Sequence, residues 1–199
     1  MEAKILKSGT TTVSLIGKDC VVIAADMKST IGYMVESKVA QKIYRLDDRI
    51  AITTAGSVGD AISLIRLLRA QINLYKLERE EITVRAVVTL LSNVMHASRI
   101  FPYFNEFIVA GYDRRGPQIY TVDIIGGISE KDKFYATGSG SPFAYGVLEN
   151  NYREGLSEKE AIELAYKAVK APVERDIASG GKGIAIAVIN SKGYKEVSI

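Results

Sequence analysis

Blocks of short β-patterned segments alternate with pairs of amphipathic helical segments along this chain, and that order limits the fold more than any other feature. Thr12 to Ile16, Cys20 to Ala25, Lys42 to Leu46 and Arg49 to Thr54 are β-rich runs separated by Gly17-Lys18-Asp19, Gly32 and Asp47-Asp48. Punctuation of this kind predicts hairpin-linked strands. Past Gly56 the period lengthens. Ala61, Leu64, Ile65, Leu68, Ile72 and Tyr75 fall three or four apart, the spacing of one helical face. A second helical stretch runs from Val84 to Ile100 and stops before Pro102, which disfavours helix in the residue preceding it.

The pattern then repeats. Phe107 to Tyr112, Ile119 to Asp123 and Phe134 to Ala136 read as strands, with Asp113-Arg114-Arg115-Gly116 as a turn. Helical signals return from Pro142 to Asn150 and after Ser157, where Ser157 and Glu160 have capping-box spacing and Ala161, Leu164, Ala165, Ala168 and Val169 mark a buried face. Pro172 is expected to bend or end that helix. Ile184 to Ile189 and the terminal Val197 to Ile199 read as strands.

Every amphipathic helix needs a sheet surface to cover. The order therefore predicts an α+β fold, a four-layer αββα sandwich with two sheets face to face and helices on both outer sides. The pattern also permits a two-layer α+β domain, and it leaves strand order open. With 199 residues, 47% of them hydrophobic and 25% charged, the chain suits one globular domain.

Composition narrows the chemistry. His96 and Cys20 are the only histidine and cysteine, so zinc sites, histidine-based triads and internal disulfides have no side chains to build them. Both read as structural residues, and we expect no metal and no cofactor. A net charge of +3, with basic residues only in pairs such as Arg114-Arg115, gives no basis for binding nucleic acid or an anionic membrane. Residues 1–9 lack the apolar core of a secretory signal, and no segment reaches the roughly 18 unbroken apolar residues of a membrane span. A cytoplasmic protein is expected.

Hydrolytic chemistry without histidine requires another base. An N-terminal threonine carries one, because its α-amine can accept the hydroxyl proton, and an α-amine pKa of about 7.7–8.0 leaves a useful neutral fraction. The run Gly9-Thr10-Thr11-Thr12-Val13 can supply such a residue once the Gly9-Thr10 bond is cut. Glycine before the threonine permits unusual backbone conformations and leaves its carbonyl open to attack by the Thr10 hydroxyl. Read by itself, the same run is simply the start of a strand. Asp26 by itself is a turn residue at a strand end, and Lys42 a solvated charge.

Several motifs change that balance. Thr10-Thr11-Thr12-Val13, Val22-Ile23-Ala24-Ala25-Asp26, Lys38 with Lys42-Ile43-Tyr44, Thr53-Thr54-Ala55-Gly56-Ser57-Val58-Gly59-Asp60, Phe101-Pro102-Tyr103, Ala136-Thr137-Gly138-Ser139-Gly140-Ser141 and Arg175-Asp176 with Ser179-Gly180 stand in one order along the chain. In that order and spacing they resemble proteasome β subunits, the archaeal type most closely, from Thr10 to Ile189.

The resemblance implies an N-terminal nucleophile hydrolase, a threonine endopeptidase of the proteasome core particle. It implies residues 1–9 as a propeptide removed autocatalytically at Gly9-Thr10, and 10–199 as the catalytic domain. Thr10 matches the nucleophile, Asp26 and Lys42 its supporting acid and lysine, and Ser139, Asp176 and Ser179 the residues around the threonine amine. Gly56 matches the backbone oxyanion donor. Thr30, Gly56 and Val58 match positions pairing with an extended substrate. Ser29, Ala40, Thr54, Val58 and Ile62 match the walls of the pocket before the scissile bond, small or apolar here, which implies cleavage after hydrophobic residues.

Implied partners are α subunits, other β subunits in heptameric rings, an unfolding ATPase and unfolded protein substrates. A catalytically silent β subunit retaining its propeptide in a mixed ring is the alternative. Two departures stand out: Gly180-Gly181-Lys182-Gly183 lacks the acidic or small polar residue frequent in that loop, and Lys28 stands where arginine is common.

Overall fold

The computed structural model describes residues 9–79 and 81–198. The elements up to the first helix pair are β1 (Thr12–Ile16), β2 (Cys20–Asp26), β3 (Ser29–Ile31), β4 (Met34–Ser37), β5 (Ile43–Asp47) and β6 (Ile50–Gly56). Helices α1 (Val58–Glu78) and α2 (Val84–Ala97) follow, then β7 (Asn105–Asp113), β8 (Gly116–Val122), β9 (Ile128–Lys131) and β10 (Phe134–Thr137). Helices α3 (Ser141–Asn151) and α4 (Glu158–Val173) lead to β11 (Ile184–Asn190) and β12 (Gly193–Val197).

Two five-stranded antiparallel sheets result, ordered β10-β1-β2-β11-β12 and β5-β6-β7-β8-β9, with β3-β4 as a separate hairpin. Period-two alternation sorts their side chains into three apolar layers. In β2, Val22 and Ala24 face Ala161, Leu164, Ala165 and Ala168 of α4. The intervening Val21, Ile23 and Ala25 meet Ala51, Ile108, Ala110 and Ile119 between the sheets. Beyond the second sheet, Ile52, Phe107 and Val109 pack against Leu64 and Leu68 of α1 and Val88 and Leu91 of α2. Three apolar layers require four layers of backbone, and the αββα sandwich is the arrangement observed.

Burial explains which expected elements were found and which were missed. All seven residues of β2 are buried, and the first six, Cys20 to Ala25, form one unbroken apolar run in the sequence. Strands β4 and β9 are mostly exposed, with no apolar alternation to announce them. The last strand is Gly193–Val197 rather than Val197 to Ile199, because a turn closing on the Asn190–Gly193 pair folds β12 directly onto β11; Ile199 lies outside the described residues. Helix α2 ends at Ala97, short of Ile100, in turns that bond Ser98 N–H to Met95 O and Phe101 N–H to Ser98 O.

The capping box of α4 forms as expected, with Ser157 Oγ accepting from Glu160 N–H and the Glu160 carboxylate accepting from Ser157 N–H. Pro172 lies inside the last turn, and the helix runs one residue past it. Its carbonyl then accepts the N–H of Asp176 at 2.7 Å, so the end of α4 places that carboxylate.

Candidate active site

Strand register gathers the expected residues at one end of the sandwich. Thr12 pairs with Ala25 of β2 on one side and Thr137 of β10 on the other. Two residues earlier, Thr10 therefore lies beside Asp26, at the end of β2, and Ser139, just past β10. Lys42 precedes β5, Gly56 ends β6, and Asp176 follows α4. Thr10 is 3% exposed and Lys42 5%, and Asp26 is fully buried.

The Gly9 carbonyl oxygen is the meeting point. It accepts from Thr10 Oγ1 at 2.7 Å and from Lys42 Nζ at 3.2 Å. Lys42 Nζ also donates to Asp26 Oδ1 at 2.7 Å, and Thr11 N–H shares that oxygen at 2.8 Å. The other carboxylate oxygen accepts the N–H groups of Lys28 at 3.1 Å and Gly180 at 2.9 Å. Four donors thus converge on the Asp26 carboxylate, which is fully buried. Burial pushes the Lys42 ammonium below its ordinary pKa, opposed by the attraction of Asp26.

On the opposite side, Thr10 N–H donates to Ser139 Oγ at 3.3 Å. Ser139 and Ser179 each lie 2.6 Å from Asp176 Oδ2, which can only accept, so both hydroxyls donate to it. Thr11 Oγ1, 2.7 Å from Ser179 Oγ, must then be the donor of that pair. Within this network Thr11 donates to Ser179, and Ser179 and Ser139 donate to Asp176, which leaves Ser139 Oγ able to accept from the Thr10 nitrogen.

Space is equally specific. A Cβ on Gly9 would fall 1.7 Å from Ala178 Cβ and 2.6 Å from Ala178 Cα, so glycine is required there by close approach. The Gly9 N–H is held by Thr30 Oγ1 at 3.2 Å. A small cavity of about 20 Å³ opens beside Thr10 and Lys42. Of the pocket residues expected from sequence, Ser29, Ala40, Thr54 and Val58 line it, as does Gly56. Ile62 does not, and Thr30 contacts Gly9 instead. Gln41, Tyr44 and Ala61 complete the lining and carried no sequence signal for that place.

A family described as "Proteasome subunit" matches residues 6–189. The chain belongs to the proteasome subunit family. It is 49% identical to "Proteasome subunit beta" of Ferroglobus placidus over 191 residues, 96% of this chain and 90% of that protein. It is 46% identical to "Proteasome subunit beta" of Methanospirillum hungatei, covering 96% and 91% of the two chains. Identity to "Proteasome subunit beta 1" of Thermococcus onnurineus is 46%, covering 96% and 93%.

The fold of this proteasome subunit is the N-terminal nucleophile hydrolase fold, and proteasome subunits function within a multi-subunit complex. The glycine-rich departure noted in the sequence finds a structural use. Gly181 has a φ of +102°, and a Cβ there would fall 2.6 Å from Met27 C and 2.7 Å from Lys38 O. The loop can then press against the β2–β3 turn, with Met27 N–H donating to Gly180 O at 2.8 Å and Lys182 N–H to Lys38 O at 2.8 Å. Lys28 contributes its backbone N–H to Asp26. His96 bonds the Ile125 carbonyl through Nδ1 on the surface, and Cys20 is buried in the α4 layer. Among the described residues, no cluster of His, Cys, Asp and Glu suits a metal, and no helix is long and apolar enough to cross a membrane.

Proposed function

We propose that this proteasome subunit is a threonine endopeptidase of the core particle, latent until it cleaves itself between Gly9 and Thr10. The observation that carries this reading is the Gly9 carbonyl oxygen receiving both the Thr10 hydroxyl and the Lys42 ammonium.

In the first reaction Thr10 Oγ attacks the Gly9 carbonyl carbon. Negative charge develops on the oxygen that Lys42 already contacts, and the lysine polarises it. Lys42, which meets the same carbonyl oxygen as the Thr10 hydroxyl and has its pKa lowered by burial, exchanges the hydroxyl proton. Breaking the C–N bond, with a proton delivered to the leaving nitrogen, leaves an ester between Gly9 and Thr10 Oγ. Water hydrolyses that ester and releases residues 1–9 as an acid and Thr10 with a free α-amine.

The second reaction repeats the attack on a substrate peptide carbonyl. The Thr10 amine now accepts the hydroxyl proton, and the Asp176-oriented hydroxyl of Ser139 holds that amine in place. The Gly56 N–H stabilises the oxyanion, the leaving amine takes the proton, and water hydrolyses the acyl-threonine ester. The small or apolar residues Ala40, Thr54 and Val58 in the lining favour hydrophobic side chains before the cut. Unfolded proteins are the substrates, supplied by an unfolding ATPase through α rings stacked on heptameric β rings in the cytoplasm.

Intact mass of the subunit, alone and after mixing with α subunits, tests the proposal together with hydrolysis of a hydrophobic fluorogenic peptide. Loss of the mass of residues 1–9 with simultaneous gain of activity is expected. Full mass and no activity in complete particles would instead favour a silent subunit that retains its propeptide.

A further inference from the structure

Asn105 opens β7 directly opposite Gly56 and is 1% exposed. Its Nδ2 donates to the Ser57 carbonyl at 2.9 Å, while its Oδ1 is buried with no hydrogen-bond partner. An unpaired buried acceptor is a standing desolvation cost that a leucine of similar size would not carry. Local folding gives no reason to keep an amide there, because the neighbouring turn is already tied down: Asn105 N–H bonds Tyr103 O, and Phe104 N–H bonds Asp60 Oδ2.

What the amide reaches is the junction between β6 and α1. Ser57 N–H donates to Phe104 O at 2.9 Å, and Ser57 O also accepts the first helical N–H, from Ala61, at 3.0 Å. Gly56, at a φ of +142°, fits so closely under this clamp that a Cβ would fall 2.0 Å from Phe104 O. N–H groups alternate sides along a strand. Thr54 N–H points to Lys42 O and Ser57 N–H to Phe104 O, so the Gly56 N–H projects to the Lys42 side, where Thr10 lies.

We infer that Asn105 is a positioning residue: by holding the Ser57 carbonyl it fixes the Gly56 peptide with its N–H aimed at the carbonyl oxygen that Thr10 attack makes negative. The inference rests on the reading of Thr10 as nucleophile and Gly56 as oxyanion donor. Without the amide, Ser57 O keeps only its helical bond, and the junction is held to β7 less firmly, through the Ser57 N–H to Phe104 O bond. That looseness weakens binding of a tetrahedral species more than binding of a planar substrate.

Asn105→Leu and Asn105→Asp, both close to the native shape, are to be assembled with α subunits and assayed per processed Thr10 counted by intact mass. The expected result is a kcat lowered about tenfold or more with KM changed less than about twofold. Affinity for a peptide boronate, which forms a tetrahedral adduct on the hydroxyl, falls in step with kcat, and the leucine variant melts no lower than wild type. Unchanged kcat in both variants, or a lower melting temperature with boronate affinity intact, overturns the assignment. Failure of the underlying reading has a different signature: wild-type and Thr10→Ala particles would hydrolyse peptide equally.

Discussion

Lys42 Nζ lies 2.7 Å from Asp26 Oδ1 in an ion pair whose side chains are 6% and 0% exposed. Breaking such a pair from one side leaves a charge buried without compensation and costs about 3–5 kcal/mol. Asp26→Asn also turns an amide N–H toward backbone donors that now point at a carboxylate. We expect a lower denaturant midpoint and no loss of residues 1–9 by intact mass. Processing at the wild-type rate would show that the pair has no part in the reaction.

Lys42→Arg keeps the positive charge but replaces a group with a depressed pKa by one that stays protonated. The expected outcome is a folded subunit that assembles yet self-cleaves about 100-fold more slowly, since general acid–base assistance is commonly worth 10²–10⁴. A time course of intact mass after mixing with α subunits measures it.

Gly9→Ala separates processing from peptide hydrolysis. The added methyl would collide with Ala178, displacing the carbonyl from Thr10 Oγ1 and Lys42. Self-cleavage should slow strongly, as small displacements of reacting groups cost about 100-fold. A chain released at Thr10 from a cleavable leader no longer contains residue 9 and should show wild-type peptidase activity. Loss of activity there would place the defect elsewhere.

Ala40→Glu puts a carboxylate into the lining of the cavity beside Thr10. Wild-type particles are expected to cleave after leucine or tyrosine faster than after arginine or glutamate, and the variant to gain arginine cleavage at the expense of leucine. Fluorogenic peptides differing only in that residue decide the matter; an unchanged ranking would remove Ala40 from the pocket.

Cys20 gives a pH dependence of stability with a definite sign. Burial pushes its thiol pKa up from 9.0 to about 11. Above pH 9 the unfolded chain loses the proton while the folded chain keeps it, so stability from this group is present below pH 9 and lost as pH rises toward 11. The loss is about 2–3 kcal/mol by linkage. Urea unfolding between pH 8 and 11 should show a shallower decline for Cys20→Ala than for wild type, and parallel declines would count against the burial argument.

Much of the site was legible because its residues occur in short, ordered motifs. Thr10, Asp26, Lys42, Ser139, Asp176 and Ser179 meet around one peptide bond once β1 is paired with β2 and β10. Thr11 and Gln41 were not legible as site residues. A threonine in a strand and a glutamine before one acquire roles only from what lies across from them, Ser179 for the first and the cavity for the second. Ile62, expected in the pocket wall, does not line the cavity; it sits one turn of α1 beyond Val58 and is exposed, while Ala61 and Val58 line it.

Residue order alone was enough to give the alternation of strand and helix blocks and the buried faces of α1 and α4, because burial periodicity is a local property repeated along each element, and it favoured the αββα layering over a two-layer domain without excluding the latter. It also carried the threonine proposed as nucleophile, the glycine before it and the charged residues Asp26 and Lys42 as residue types at set positions. Tertiary structure alone decided which sheet edge each strand occupies and which exposed hairpins form. It also decided that Gly9 needs the space Ala178 leaves, and that a buried amide at position 105 meets the junction behind Gly56. Those are contacts between residues far apart in the chain, and the chemistry of each partner is ordinary until close packing brings them together.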